Sequence, residues 1–324
     1  MGEEGNGVRE IATVLNVARV HNAVSAIGFW GRGLSIVRAF ARVRKVGLKP
    51  LWSKAAYAQS LARMHVDYKA NVLLCIFVST LLGVIEQGEI AAYQKATSSS
   101  KQPVPVAKPT AVLPDPTAAL HIYRLLTPVL KGLTAKAAIA GLSECMECMG
   151  GVGYLESEDM QFNIARLYRD VQVCSIWEGT TDMMSHDVIR VVFGKTGKEV
   201  LKAMDGWVDA TVKSAVPAVK REAEWVRRSW SEWREYMSNS ERGEIELRSR
   251  SQMEKLGDIV MGGLLILDAS SDSDEVAIEA LQTWISNKSS GVDTASAERN
   301  WQQVVESNLR VVFGPQGPEE RAKL

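Results

Sequence analysis

Cysteine is scarce: four in 324 residues, too few and too scattered for a disulfide framework. Cys145 and Cys148 form a C-x-x-C, but no second pair and no histidine cluster completes a zinc tetrad. Their flanks, AAIAGLSECMECMGG, have helical rather than strand character, which sets aside a redox dithiol and leaves buried helix cysteines. Charge of one sign is lacking too. The 38 Lys and Arg balance 38 Asp and Glu, so no overall field advertises nucleic acid or an anionic membrane. The opening MGEEGNGVRE is acidic and glycine-rich, unlike the basic-then-apolar start of a secretory signal. Strand signals are nearly missing. The apolar run NVLLCIFVSTLLGVI from Asn71 is short for a bilayer span and sits in helical sequence. It is expected to be the buried middle of a core helix, with no membrane partner.

What is present is helix. Hydrophobic residues make up 46% of the chain, enough for a sizeable core. Arg9–Val46 and Leu51–Lys95 repeat apolar residues at helical spacing. A third helix is expected from Thr117 to Met149, bent near its start by Pro128 and stopped by Gly150-Gly151-Val152-Gly153. Five of the ten prolines fall between Thr97 and Pro116, which excludes helix there. Residues 154–177 read as irregular, and a helix follows from Thr181 to Phe193. Further helical segments are expected near 198–236, 243–270, 274–287 and 295–312. The fold class is all-α: a four-helix bundle over residues 7–196 with its Pro-rich loop at 97–116, a helical extension over 197–313, and a flexible tail at 314–324. From residue 201 onward, 16 Lys and Arg face 21 Asp and Glu, and the first 200 residues carry the matching excess of positive charge. Phosphate groups are drawn to the front half.

Residues 174–190, CSIWEGTTDMMSHDVIR, set a lone Glu178 ahead of a Gly-Thr-Thr turn that opens a helix. Two readings compete. One is capping, in which Thr180 or Thr181 caps the helix while Glu178 and Asp182 suit its positive N-terminus. The other is a base held in a desolvated pocket.

From Glu147 to Met184 the chain reads ECMGGVGYLESEDMQFNIARLYRDVQVCSIWEGTTDMM. This resembles the closing signature of the acyl-CoA dehydrogenase family: a Gly-Gly-x-Gly-Tyr turn, an Arg-Asp pair downstream, and Ile-(Tyr/Trp)-Glu-Gly-Thr before a helix. Several fixed offsets match together. Upstream, RLLTPVLKGLTAKAAIAGLSE and GNGVREIATVLNVARVHNAVSAIG look like helices of the family's C-terminal domain. The wording ARLYRDVQVCSIWEGTTDMMSHDVIRVV is most similar to the branch of the alkylation-response protein AidB.

The resemblance implies an oxidoreductase in which acyl-CoA loses an α-proton to Glu178 and a β-hydride to FAD. A Cα–H beside a thioester is a weak acid, so such a base must sit dry and poised. Gly179 would leave room for the acyl chain, and Trp177 would exclude water. Gly150 and Gly151 match the turn that lets backbone approach the cofactor, with Glu147 where most of the family has Gln. Thr180 and Asp182 match flavin-contacting positions after the base. Arg44 sits where the family has an arginine for the flavin pyrophosphate of the partner subunit, with a solvated helix face as its alternative. Arg190 matches an arginine of the AidB-like branch that would select acyl groups; its alternative is a salt bridge to Asp187 or Asp182.

The family's N-terminal helical domain and middle β-domain have no counterpart here, so the chain reads as a C-terminal half expected to hold flavin weakly. Two other readings stay open: a non-catalytic helical module that forms dimers or tetramers, and an AidB-like nucleic-acid binder, which the acidic rear half argues against. Ala322-Lys323-Leu324 is a variant of the Ser-Lys-Leu peroxisomal address, against a frayed charged tail and a cytoplasmic or mitochondrial location.

Overall fold

The computed structural model describes residues 7–97, 113–156, 162–289 and 300–318. Most of the Pro-rich loop and the Ala322-Lys323-Leu324 ending lie outside the described residues. Three long helices form the frame: α1 (Gly7–Val43), α2 (Ala55–Thr97) and α3 (Pro116–Met149). Asp115 starts α3 by accepting from the amides of Thr117 at 2.9 Å and Ala118 at 3.1 Å, with Pro116 at the first helical position. Pro128 lies inside α3, which continues through it. Short helices α4 (Gly151–Tyr154) and α5 (Ile164–Val171) lead through a 3-10 turn, Gln172–Ser175, to α6 (Thr181–Val192). Then come α7 (Gly197–Ser214), α8 (Lys220–Asn239), α9 (Arg242–Leu247), α10 (Ser249–Asp272), α11 (Glu275–Lys288) and α12 (Trp301–Phe313). The all-α expectation holds.

Several boundaries differ from the sequence reading, among them the expected 243–270 helix, which is split at Arg248 into α9 and α10. The first helix stops at Val43, and a small antiparallel hairpin pairs β1 (Lys45–Val46) with β2 (Lys49–Pro50) around Gly47 at φ +67°. Residues 154–177 are not wholly irregular, since α5 and the 3-10 turn fall there. The segment 198–236 is two helices, because Pro217 cannot donate to a helical ladder and breaks the run between α7 and α8.

The core explains which faces are apolar. One hydrophobic cluster joins α1, α2 and α3 to α6–α11; a second joins α1, α2 and α3 to α5 and α12. Phe77 of α2 packs on Trp207 of α7 with ring centres 5.3 Å apart. Gly141 of α3 lets the Trp30 indole lie against its backbone, where any Cβ would collide with the ring. The length expectation for the apolar run fails: both α2 and α3 are long and apolar enough to cross a membrane. In this fold, however, 72% of the apolar window of α3 and 50% of that of α2 is buried against other helices. All four cysteines are free, and burial pushes the Cys148 thiol up to about 12.

Candidate active site

The chain reverses between the 3-10 turn and α6 through two residues with left-handed backbone, Glu178 at φ +59° and Gly179 at φ +107°. Gly179 takes this region freely. For Glu178 the same conformation is strained by about 1–3 kcal/mol, a kind of strain that clusters at functional sites. Thr180 then occupies the N-cap of α6, yet its side chain makes no capping hydrogen bond. The capping reading therefore lacks its central contact. Glu178 is half-buried, and its carboxylate has no hydrogen bond or ion pair within the described residues. Trp177 is 51% exposed and Ile176 63%, so both present apolar surface at the turn.

Beneath the turn lies a residue that sequence reasoning missed. Lys131 of α3 is 1% exposed, and its Nζ donates to the carbonyl oxygen of Gly179. Its signal was legible: a lysine on the apolar face of α3, among Thr127, Leu130 and Thr134, all buried. Burial pulls its pKa down to about 8; Cys174 and Glu178 oppose that shift and Arg19 reinforces it. Asn22 of α1 donates to the Cys174 carbonyl oxygen at 3.0 Å, fixing the turn from the other side.

Behind the turn, three arginines converge on buried Asp187. Arg19 of α1 reaches it at 2.9 Å, Arg124 of α3 at 2.8 Å and Arg190 of α6 at 2.5 Å. Burial raises the Asp187 pKa, but hydrogen bonds from Arg124 and Arg190 prevail and hold it at about 2. Arg190 thus takes the salt-bridge alternative, with Asp187 rather than Asp182. Asp182 is exposed and paired to Arg250 of α10 at 2.5 and 2.9 Å, which ties the extension to the start of α6.

The remaining residues that the resemblance assigns to the cofactor lie elsewhere. Gly150 ends α3 at φ +62°, and a Cβ on Gly150 or Gly151 would meet nothing within 4 Å. That open backbone, with exposed Glu147 one turn earlier, fits the approach of an extended ligand. Arg44 is exposed beside the hairpin, and its carbonyl accepts from the Leu51 amide at 2.7 Å. Tyr57 at the start of α2 donates to the Cys148 carbonyl at 3.2 Å, so the hairpin and the glycine turn share one end of the bundle. Glu178 does not belong to that end. Lys131 and Gly150 stand nineteen residues apart along α3, roughly 28 Å of helix. The named residues thus form two groups, a base group and a glycine-turn group. A cleft of about 520 Å³ lined by Asp67, Asn71, Asp258 and Lys288 includes neither group.

The acyl-CoA dehydrogenase C-terminal domain model matches residues 5–101 and 115–193. Acyl-CoA dehydrogenase family member 11 of Caenorhabditis elegans is 35% identical over 195 residues, covering 60% of this chain and 27% of that protein. The putative acyl-CoA dehydrogenase AidB of Escherichia coli K12 is 25% identical over 232 residues, covering 69% of this chain and 37% of its own length. The chain therefore spans well under half of these relatives. The crystal structure of Caenorhabditis elegans ACDH-11 in complex with C11-CoA superposes with a TM-score of 0.72 at 27% identity, covering 97% of this chain and 49% of that one. A Bacillus anthracis acyl-CoA dehydrogenase complexed with FAD shares the fold at a TM-score of 0.65 and 14% identity, covering all of this chain and 55% of its own. Fold, helix order and matched residues agree: the chain belongs to the acyl-CoA dehydrogenase family and holds its C-terminal domain.

Proposed function

We propose that this chain supplies the base and part of the cofactor surface of an FAD-dependent acyl-CoA dehydrogenase. One observation carries the reading: Glu178 is held in a strained, left-handed turn, and its carboxylate has no hydrogen bond or ion pair among the described residues. In this role Glu178 accepts the α-proton of the acyl thioester, and a Cα=Cβ bond forms as hydride leaves Cβ. FAD bound here would supply the acceptor for that hydride. Gly179 leaves space beside the carboxylate for the acyl chain, and Trp177 and Ile176 offer apolar surface for it. Thr180 would contact the flavin, with Asp182 held by Arg250 nearby. Gly150, Gly151, Glu147 and Arg44 would meet the cofactor's phosphate and adenosine portion. The C11-CoA complex of the nematode protein supports an acyl-CoA substrate class.

The roughly 28 Å between the two groups along α3 favours a homo-oligomer, in which one copy's glycine-turn end serves the base of the other. A shallow apolar groove lined by Val24, Ile27, Val72 and Ile76 on α1 and α2 favours the same association. A helical module that oligomerises without catalysis remains the second reading on that groove alone. Sizing chromatography separates monomer from assembly.

The first experiment is the visible absorbance of the purified chain after incubation with FAD and gel filtration. A co-eluting flavin band that bleaches with acyl-CoA, and fails to bleach in Glu178→Gln, supports the dehydrogenase. A colourless peak leaves the oligomerisation module. For Ala322-Lys323-Leu324 we propose peroxisomal import, with oxygen as electron acceptor. An N-terminally tagged chain with its C-terminus free should form puncta that disperse when Leu324 is deleted, whereas a cytosolic or mitochondrial signal removes the idea.

A further inference from the structure

Lys131 is an unexpected residue for its place. No other lysine or arginine among the described residues is buried to this degree. Desolvating an ammonium is costly, and a methionine of similar length would fill the same space between α3 and α6 without that cost. Its one hydrogen-bond acceptor among the described residues is the Gly179 carbonyl, the peptide directly after Glu178. The titratable and charged groups that face it are Glu178 of the turn, the Cys174 thiol of the 3-10 turn and Arg19 of α1, the last already paired with Asp187.

We propose that Lys131 is a positioning residue for the base: its buried ammonium pins the Gly179 carbonyl and so fixes where the Glu178 carboxylate is presented. This rests on the reading of Glu178 as the base. A peptide that follows a left-handed glutamate has little local reason to stay there, and neither Thr180 nor a cap supplies one. The clamp does. Because burial pulls the Lys131 pKa to about 8, the charge that holds the turn is lost as pH rises past that value. The neutral amine is a weaker donor and no longer attracts Glu178.

Gly179–Thr180 is the single Gly-Thr pair in the sequence. Labelling with [1-13C]glycine and [15N]threonine therefore gives one carbonyl–nitrogen correlation, the peptide that Lys131 grips. The carbonyl shift should titrate with a midpoint near pH 8. The titration should vanish in Lys131→Met and in Lys131→Arg, with far-UV circular dichroism checking the fold. A carbonyl that stays flat from about pH 6.5 to 10 in the wild type, or titrates unchanged in the variants, overturns the clamp. If Lys131→Met does not fold, the wild type and Lys131→Arg decide. In the flavin-loaded protein, Lys131→Met should lower kcat about 10²-fold with KM within about twofold, and flatten the alkaline limb. Glu178→Gln separates the two ideas. Bleaching retained in Glu178→Gln removes the base, while the clamp still stands or falls on the carbonyl titration. Bleaching lost there but wild-type in Lys131→Met removes the positioning role.

Discussion

Arg124 of α3 grips Asp187 of α6 with both terminal nitrogens, Nη2 to Oδ1 at 2.8 Å and Nη1 to Oδ2 at 3.2 Å. Arg19 closes on the same carboxylate from α1, so one buried anion ties three helices behind the base-bearing turn. Removing that anion leaves the part-buried Arg19 and Arg124 guanidinium groups facing one another without a counter-charge. Asp187→Ala should destabilise the fold by about 3–5 kcal/mol in urea unfolding. Arg190→Ala should cost under about 1 kcal/mol, because that side chain is 73% exposed.

Glu178 presents a conflict between stability and chemistry. Its left-handed backbone suits glycine, so Glu178→Gly should raise stability by about 1 kcal/mol while abolishing acyl-CoA-dependent flavin bleaching. Glu178→Gln keeps the strain and removes the base, lowering the rate by about 10²–10⁴-fold at unchanged stability. A Glu178→Gly protein that melts lower than the wild type would contradict the assigned strain.

Neighbouring glycines should behave oppositely. A Cβ on Gly153 would collide with the Met146 carbonyl oxygen, whereas one on Gly151 enters open space. Gly153→Ala should therefore lose about 1–3 kcal/mol in thermal melting. Gly151→Ala should melt like the wild type yet retain less FAD after gel filtration, if the open backbone is where the cofactor approaches.

His65 of α2 gives the acid side of the stability curve a specific origin. Burial lowers its pKa to about 4, against the usual 6.5, with Arg38 adding to the shift and a hydrogen bond from Nδ1 to the Leu61 carbonyl at 2.8 Å opposing it. Between those values the unfolded chain binds a proton that the folded chain refuses. Stability is therefore complete above about pH 6.5 and falls as pH drops towards 4, by at most about 3 kcal/mol. His65→Leu should flatten that slope in chemical denaturation at stepped pH.

The helices were legible because apolar spacing encodes a buried face directly, as the run through Leu74, Val78 and Leu81 shows. Glu178 was legible through its motif. Its strain was not, since no residue pattern announces a left-handed glutamate before a glycine. Asp187 escaped notice except as an option for Arg190, because its other partners, Arg19 and Arg124, are 168 and 63 positions away along the chain. Lys131 was legible as a lysine on an apolar helix face, but its acceptor was not, because Gly179 lies 48 positions away along the chain. The break at Pro217 was written in the sequence and was overridden by the helical periodicity on both sides of it.

The packing of Phe77 on Trp207 has a consequence for how the molecule comes apart. Because α7–α11 share one apolar cluster with α2 and α3, the acidic rear half has no independent interior to fall back on. Amides deep in α3, beside Lys131, should exchange with solvent only at the same rare openings that release α10. The turn that carries Glu178 thus shares its support with α10, and loosening the far end of the molecule should loosen the base as well.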